Sequence, residues 1–274
     1  MCFLLILFLV SLQNSSRLTK FQINYVHLKH FSNEYIDTSR FNYTDICGDI
    51  FKYNANSEKD YLIGSYEFYD KCCSPQFLES LEMARVAMPN CHIVIIFFSE
   101  LPKRCKNDYR KLISLKIEFV KVTKKETDYA VIARFISYLD FVSTNYNKID
   151  RIFLMDIRIV LFYSDFFQTF SNDEISWLSE CYGTKIPEQC FGPSNFPDHA
   201  KWLSNFISKE NSFIKWWVCF WWGSKNEKKT LEIINAHIDK SKMKWGYDQA
   251  LINWLFYNGK FKEVDMKSVL CEQR

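Results

Sequence analysis

The stretch RIFLMDIRIVLFYSDFF, from Arg151 to Phe167, decides the fold of this chain. It begins with an apolar run of strand length and places a carboxylate, Asp156, where that run ends. A continuous apolar run predicts a strand that is covered on both faces, as in a parallel sheet. Ligands of open α/β sheets gather at the carboxyl ends of the strands. Asp156 is therefore a candidate binding residue, and capping of a turn is its alternative role.

Strands and helices alternate along most of the chain. Apolar runs predict strands over 62–68, 92–100, 116–122, 152–155 and 216–224. Helical spacing of apolar residues predicts helices over 75–88, 108–115, 127–144, 226–240 and 247–257. Such alternation indicates a parallel sheet with right-handed crossovers. The predicted fold class is α/β, a Rossmann-like nucleotide-binding core with a mostly parallel sheet. Residues 171–212, where prolines gather, are expected to be irregular.

The N-terminus opens with MCFLLILFLVSLQNSS. Its apolar run is too short to cross a bilayer, which needs about 20 residues. The run suits the apolar centre of a secretory signal peptide followed by small polar residues. Residues 1–16 are therefore interpreted as a signal peptide or short anchor, with a buried strand as the alternative. We expect an N-terminal extension over 17–60 and one α/β domain over 61–270.

Cysteine content favours an oxidising compartment. The chain has ten cysteines, many for a reduced compartment, and disulfides are expected. Removal of Cys2 with the signal would leave an odd number and at least one unpaired thiol. The triplets starting at Asn14 and Asn42 are N-glycosylation acceptors, as in a glycoprotein. We expect a protein of the secretory pathway, in the Golgi or ER lumen, or secreted. Contact with a membrane is expected only through an N-terminal anchor.

The composition narrows the class of partner. A net charge of +3 over 274 residues gives no basis for binding nucleic acid. An apolar fraction of 48% is ordinary for a globular domain with a substantial core. The aromatic fraction of 18% suits rings that stack on sugars, but compositional bias explains most of it equally well.

Two stretches together resemble the nucleotide-sugar-dependent glycosyltransferases of the GT-A type. The first stretch resembles that family's apolar strand followed by Asp-x-Arg-Asp-Val-x-Phe-x-x-Asp-Pro-Phe. This chain departs from the motif at Ile159, where a second Asp is usual, and at Phe166, where Pro is usual. It matches at Asp156, Arg158, Val160, Phe162, Asp165 and Phe167. The later GYDQALINWLFYNG resembles the family's Gly-x-Asp-Gln-x-x-x-Asn helix at Gly246, Asp248, Gln249 and Asn253.

The resemblance implies a role for each matched residue. Asp156 would lie near the nucleotide and could hold a metal ion, and Arg158 would meet a phosphate as a bidentate cation. Asp248 and Gln249 would face the donor sugar or the acceptor, although Asp248 could instead stabilise the positive end of its helix. Arg134 could reach a phosphate, with a structural role as its alternative.

The resemblance also implies a divalent cation, Mn²⁺ or Mg²⁺, that neutralises the departing diphosphate. Hard cations prefer carboxylate ligands, and Ile159 offers none. The implied function is transfer of a hexose from a nucleotide sugar to a glycan or glycoprotein acceptor. Two alternatives stay open: a catalytically inactive secreted relative that only binds, and a disulfide-bonded α/β protein without a nucleotide site.

Overall fold

The computed structural model describes residues 51–68, 71–122, 130–157, 160–173, 175–180, 216–242, 247–264 and 266–270. The strands are β1 (Asp60–Tyr66), β2 (His92–Phe97), β3 (Ile117–Lys121), β4 (Arg151–Met155), β5 (Ile175–Glu180), β6 (Trp216–Ser224) and β7 (Met266–Leu270). The helices are α1 (Pro75–Ala87), α2 (Lys106–Ser114), α3 (Ala130–Asn145), α4 (Glu227–Ala236) and α5 (Tyr247–Tyr257). Short 3-10 turns cover Tyr146–Lys148, Phe166–Thr169 and Lys240–Lys242.

The strands form a seven-stranded sheet in the order β3-β2-β1-β4-β6-β5-β7. β3, β2, β1 and β4 run parallel to their neighbours. β6 lies antiparallel between β4 and β5, and β7 pairs in parallel with β5. The parallel order 3-2-1-4 is that of a Rossmann core. The predicted fold class, α/β with a mostly parallel sheet, is thus confirmed.

Apolar side chains cover the sheet on both faces. One face packs against α3, α4 and α5 through residues such as Ile152, Leu154 and Leu255. The other face packs against α1, α2 and the segment after β4, through residues such as Phe77 and Phe153. Successive residues of β4 alternate between the two cores, as the period of a strand requires.

Local signals in the sequence place several helix ends. Ser74 caps α1, because its hydroxyl accepts the backbone N–H of Phe77 at 3.2 Å, and Pro75 occupies the first turn. α5 ends at Gly259, whose φ of 65° is left-handed. The N–H of Gly259 bonds to Phe256 and that of Lys260 to Leu255, which is the Schellman pattern.

A network of buried polar side chains closes the amino edge of the sheet. Arg151 and Asp60, which open the adjacent strands β4 and β1, form a two-pronged ion pair with both N–O distances at 2.7 Å. Arg151 also donates to the carbonyls of Asn54, Ala55 and Phe167. The guanidinium of Arg151 thus connects the start of β4 to the start of β1, to residues 54–55 and to Phe167.

Asp165 belongs to the same structural network. Its carboxylate accepts from the backbone and side-chain nitrogens of Asn56 and from the backbone N–H of Phe167. Burial raises the pKa of Asp165, and these hydrogen bonds and Arg151 oppose that shift. The matched motif position Asp165 is therefore a cap and an anchor for residues 54–57. Residues 54–57, at the end of the extension expected over 17–60, thus pack on the domain. Residues 1–50, which include the expected signal peptide, lie outside the described residues.

Element boundaries differ from the prediction by a few residues, with two larger differences. β5 lies inside 171–212, which was expected to be irregular, and β7 was not predicted. Both short strands exist because β5 pairs with β6 on one side and with β7 on the other. Across the described segments, no helix has both the length and the apolar character that crossing a membrane requires.

Candidate functional site

Asp156 lies at the point of the sheet where ligands of Rossmann folds bind. It directly follows β4, and Met155, the last residue of β4, pairs with Gly64 of β1. From β1 the chain steps outward to β2 and β3, then returns to place β4 on the other side of β1. The strand order therefore reverses between β1 and β4, and open α/β sheets bind ligands beyond the carboxyl ends of the strands at such a point. Asp156 is half-buried there.

A close contact between β1 and the loop after β4 fixes the backbone at Asp156. Ile157 is fully buried against Gly64, and a Cβ on Gly64 would lie 3.0 Å from the Cβ of Ile157. A side chain at position 64 would require Ile157 to shift by a few tenths of an ångström. The residue after Asp156 is thus anchored in the core, and Asp156 itself stays at the edge.

Arg134 and Asp248 form a buried ion pair. A guanidinium nitrogen of Arg134 on α3 donates to a carboxylate oxygen of Asp248 on α5 at 2.5 Å. Each residue is only 5% exposed. From the sequence, Arg134 was a candidate phosphate ligand and Asp248 a candidate acid facing the sugar. The structure joins these two side chains in one ion pair. Burial of one charge without the other would be costly, so the pair fixes how the two helices pack.

The ion pair lies on the face of the sheet that α3 and α5 cover, towards the carboxyl edge. Tyr138, one helical turn after Arg134 on α3, places its hydroxyl 3.5 Å from the carbonyl of Met155. Arg134 therefore lies one turn nearer the carboxyl edge than this contact. Ile152 and Leu154 face the core beneath α3, and continued alternation puts Asp156 on that side. The fold thus gathers three of the predicted site residues at one edge.

Several predicted residues lie outside the described part of the chain. These are Arg158, Ile159 and Gly246, together with the side chain of Gln249. Gln249 follows Asp248 in the first turn of α5. Asn253, one turn further along α5, is fully buried. The assignments of Arg158 and Gln249 therefore stay predictions from the sequence.

A disulfide shapes the neighbouring loops at this edge. Cys72, after β1, is bonded to Cys105, after β2, with their Cα atoms 5.4 Å apart. This confirms the expectation of disulfide bonding. Asp108 lies beside the bridge and accepts the backbone N–H of Cys73 at 2.9 Å. Sulfurs already joined to each other are not thiolate ligands, so this Cys-Cys-Asp group does not hold a metal.

The ligand set around Asp156 does not fit a resident divalent cation. Within the described segments, no other grouping of three His, Cys, Asp or Glu side chains has ligand atoms close enough to share an ion. Ile159 supplies no oxygen at the position where the family motif has its second Asp. One carboxylate leaves Mg²⁺ or Mn²⁺ dependent on water and substrate oxygens.

The network at the amino edge is what sequence reasoning missed. Arg151 and Asp60 are charged residues that open largely apolar strands, and this position in the sequence was the signal that could have revealed the pair. Parallel neighbours bring the starts of two strands together, so opposite charges there would pair. These residues lie at the end of the sheet opposite Asp156 and serve the fold.

No protein-family model and no curated protein sequence matches this chain. Among solved structures, the chain is similar to a Bacillus anthracis protein assigned as a glucose-1-phosphate thymidylyltransferase, in complex with a sucrose. That match has a TM-score of 0.40 and 11% identity over 77% of this chain and 87% of the other. The mannosyltransferase Ktr4p from S. cerevisiae matches with a TM-score of 0.34 and 11% identity, over 92% of this chain and 73% of that one. Its complex with GDP matches with a TM-score of 0.35 and 10% identity, over 92% and 74%.

Proposed function

We propose that this protein binds a nucleotide sugar at the carboxyl edge of the sheet, between β1 and β4, and transfers the hexose to a glycan or glycoprotein acceptor. The observation that carries the proposal is the position of Asp156. It follows β4 at the point where the parallel strand order reverses, and it is half-buried there. A site of this kind binds nucleotides in Rossmann folds.

Asp156 has the chemistry to orient the nucleotide. An ionised carboxylate accepts hydrogen bonds only, so it suits the hydroxyl groups of a ribose or a sugar. An acid that bonds to ribose hydroxyls is a regular part of dinucleotide sites in this architecture. The anchoring of Ile157 beside Gly64 holds the acceptor atoms in place before the ligand arrives. We propose Arg158, two residues further, as the cation that meets the diphosphate.

The start of α5 is the proposed sugar side of the site. The motif places Asp248 and Gln249 there, and the ion pair with Arg134 holds Asp248 in one orientation. Arg134 is thus proposed as a positioning residue, in place of the phosphate contact expected from the sequence. Departure of the nucleotide diphosphate would depend on Arg158 and other positive groups, because the ligand set does not fit a resident cation.

A catalytically inactive relative is the second candidate function. Ile159 favours it, because loss of the motif's second Asp removes a ligand for the cation that assists departure of the diphosphate. Such a protein would still bind the nucleotide sugar at Asp156. It would act in the secretory pathway as a binding or partner protein.

The test is calorimetric titration of the purified chain with UDP-glucose, UDP-galactose, UDP-N-acetylglucosamine and GDP-mannose, with and without Mn²⁺. We expect one donor to bind and Asp156→Asn to weaken its binding at least tenfold. Asp150→Asn is the matched control, because Asp150 is also half-buried but lies at the amino edge beside Lys59. Failure of every donor to bind, or equal loss in both variants, would refute the proposal.

A second measurement separates the two candidate functions. Release of the free nucleotide that depends on an added neutral or anionic glycan, above the release by hydrolysis without any glycan, shows transfer. Binding of the donor without any release supports the inactive relative.

A further inference from the structure

A cavity of ≈ 340 Å³ lies between the loop after β2 and the first turns of α2. This volume is within the range of about 300–1,000 Å³ that small-molecule sites occupy. The loop leaves the carboxyl end of β2, so the cavity opens at the same edge of the sheet as Asp156. Its walls include Leu101, Pro102, Lys103, Lys106, Tyr109 and Arg110.

The cavity carries a concentration of positive charge. Lys103, Lys106 and Arg110 are exposed, and none of them forms an ion pair with another residue of the described segments. Lys106 and Arg110 are four residues apart on α2, so they project from one face of the helix. The nearby acid Glu100 is engaged by Lys121, and Lys121 first and Lys103 second lower the pKa of Glu100. Among the residues that line the cavity, all the charged ones are basic.

Tyr109 gives the same cavity an aromatic wall. Its ring stacks on Phe119, with ring centres 6.2 Å apart and planes inclined by 23°. The stacking holds one face of the ring, yet 53% of the residue is exposed. An exposed ring of this size, fixed from behind, is a platform for the apolar face of a sugar.

The disulfide makes the cavity rigid. Cys105 contributes to its wall, is buried, and is covalently bonded to Cys72 in the loop after β1. The backbone N–H of Cys105 bonds to the carbonyl of Pro102, and its carbonyl accepts from Tyr109. Loop and helix are thus joined before any ligand binds, which lowers the entropy cost of binding.

We propose that this cavity binds an anionic carbohydrate, a sugar that carries a carboxylate, sulfate or phosphate group, as the acceptor side of the protein. The sugar ring would lie on Tyr109 and its anionic group would meet Lys106 and Arg110, since a guanidinium can bind such a group with two hydrogen bonds. The identity as acceptor rests on the proposed function. The identity of the two strands supports this, since only β1 separates β2 from β4 and neighbouring strands are ~4.8 Å apart, so the strands that lead to the two sites are about 10 Å apart in the sheet.

The test titrates the purified chain with four oligosaccharide probes at fixed ionic strength. They are a sulfated heparin tetrasaccharide, a carboxylated hyaluronan tetrasaccharide, a phosphorylated mannose disaccharide and neutral chitotetraose. We expect one anionic probe to bind at least tenfold more tightly than chitotetraose, and which probe binds identifies the anionic group. Equal affinity for all four would overturn the proposal. Poly-glutamate that competes as well as the best sugar would also overturn it, because the ligand would then be an acidic peptide.

Substitutions of the lining residues test whether the anionic probe binds in the cavity. Lys106→Gln with Arg110→Gln should lower the affinity for the preferred probe at least tenfold. Lys148→Gln with Lys260→Gln removes the same charge from exposed positions outside the cavity and should change it less than twofold. Tyr109→Leu should weaken the sugar probe while leaving the weak affinity for inorganic sulfate unchanged. Equal loss in the two double variants would show diffuse attraction and refute the cavity.

Binding of the nucleotide-sugar donors is measured on the same preparations. The proposed donor site and the proposed carbohydrate site are thereby tested independently. Asp156→Asn should bind the anionic probe normally. If no donor binds the native chain but the anionic probe binds and depends on Lys106 and Arg110, the proposed transferase function fails and the carbohydrate site stands. If donors bind and no anionic probe does, this inference fails alone.

Discussion

At the scale of single residues, Gly64 and Ile157 show how packing creates a place for chemistry. Ile157 fills the space that a side chain on Gly64 would occupy. The apolar residue goes inward, and the preceding carboxylate is left at the edge of the sheet. The chemical character of Asp156 is legible in the sequence, but its half-buried position depends on this contact between two strands.

Ile159→Asp tests the alignment of the motif. The change supplies a second carboxylate three residues after Asp156, and hard cations gain affinity with each oxygen ligand. We expect donor binding to become dependent on Mn²⁺, with at least a tenfold gain when the ion is present. Isothermal titration with and without Mn²⁺ checks this. Ile157→Asp is no substitute, since Ile157 is fully buried; Leu161→Asp, outside the motif's acid positions, is the control and should bring no gain.

Glu227 is a buried acid with an expected effect on pH dependence. It opens α4, is fully buried, and neither of its carboxylate oxygens has a hydrogen-bond partner in the described part of the chain. Burial raises the pKa of Glu227 well above its usual value of 4.5. The neutral form therefore suits the fold. The stability that the neutral carboxyl group contributes is complete below pH 4.5 and is lost as the pH rises through the raised pKa.

Glu227→Gln removes the group that must lose a proton. We expect the variant and the native chain to have similar free energies of unfolding at pH 4. From pH 4.5 upward the variant should become more stable than the native chain, by about 1.4 kcal/mol per pH unit until the raised pKa is reached, because only the native chain must keep a proton or bury a charge. Urea denaturation across pH 4 to 9 measures the difference. The exposed Glu232→Gln in the same helix should show no such trend, and a parallel trend in both would contradict the assignment.

At the scale of elements, long-range contacts decide which helices and strands persist. β5 and β7 are short and carry little local signal, and they form because β6 and β5 offer them edges. α5 shows the opposite case, since its bounds, Tyr247–Tyr257, agree with the helix predicted from the sequence over 247–257. What joins α5 to α3 is the Arg134–Asp248 pair, between residues separated by 114 positions.

A double-mutant cycle tests that pair. Arg134→Met and Asp248→Leu each remove one side of a buried ion pair and leave the opposite charge in the interior, so each should lower the free energy of unfolding by about 3–5 kcal/mol. The double variant should lose less than either single variant, because no charge is left in the interior. Chemical denaturation measures all four proteins. The exposed pair Lys228–Glu232 is the control, with an expected coupling of roughly 0.3–0.5 kcal/mol. Additive losses at Arg134 and Asp248 would contradict a shared role.

At the scale of the whole molecule, the amino edge of the sheet carries structural contacts and the carboxyl edge carries the proposed binding sites. The amino edge holds the bonded network of Arg151, Asp60 and Asp165, where every described contact stabilises the fold. The carboxyl edge holds Asp156, the Arg134–Asp248 pair and the positively charged cavity beside α2. The disulfide Cys72–Cys105 crosslinks the loops of that second edge, away from the buried network.

Removal of the disulfide should affect both stability and the cavity. Its ends are 33 residues apart, and closing a loop of this length stabilises a chain by about 3–4 kcal/mol in the entropy model. Cys72→Ser with Cys105→Ser should lose that amount in chemical denaturation and should weaken the preferred anionic oligosaccharide. Cys73→Ser, which removes only a free thiol, is the control and should leave carbohydrate binding unchanged. Full retention of stability in the double variant would contradict a structural role for the bridge.

The alternation of strands and helices, the parallel core and the carboxylate that follows β4 were all predictable from the sequence. Those features depend on apolar periodicity and on residues close together along the chain, which local physics specifies. The position of β6 between β4 and β5, the contact of Arg134 with Asp248 and the cavity that three basic residues line beside Tyr109 became visible only in the folded chain. Such contacts join positions with no shared local pattern, because they form when distant apolar faces are buried together and bring polar groups within hydrogen-bonding distance.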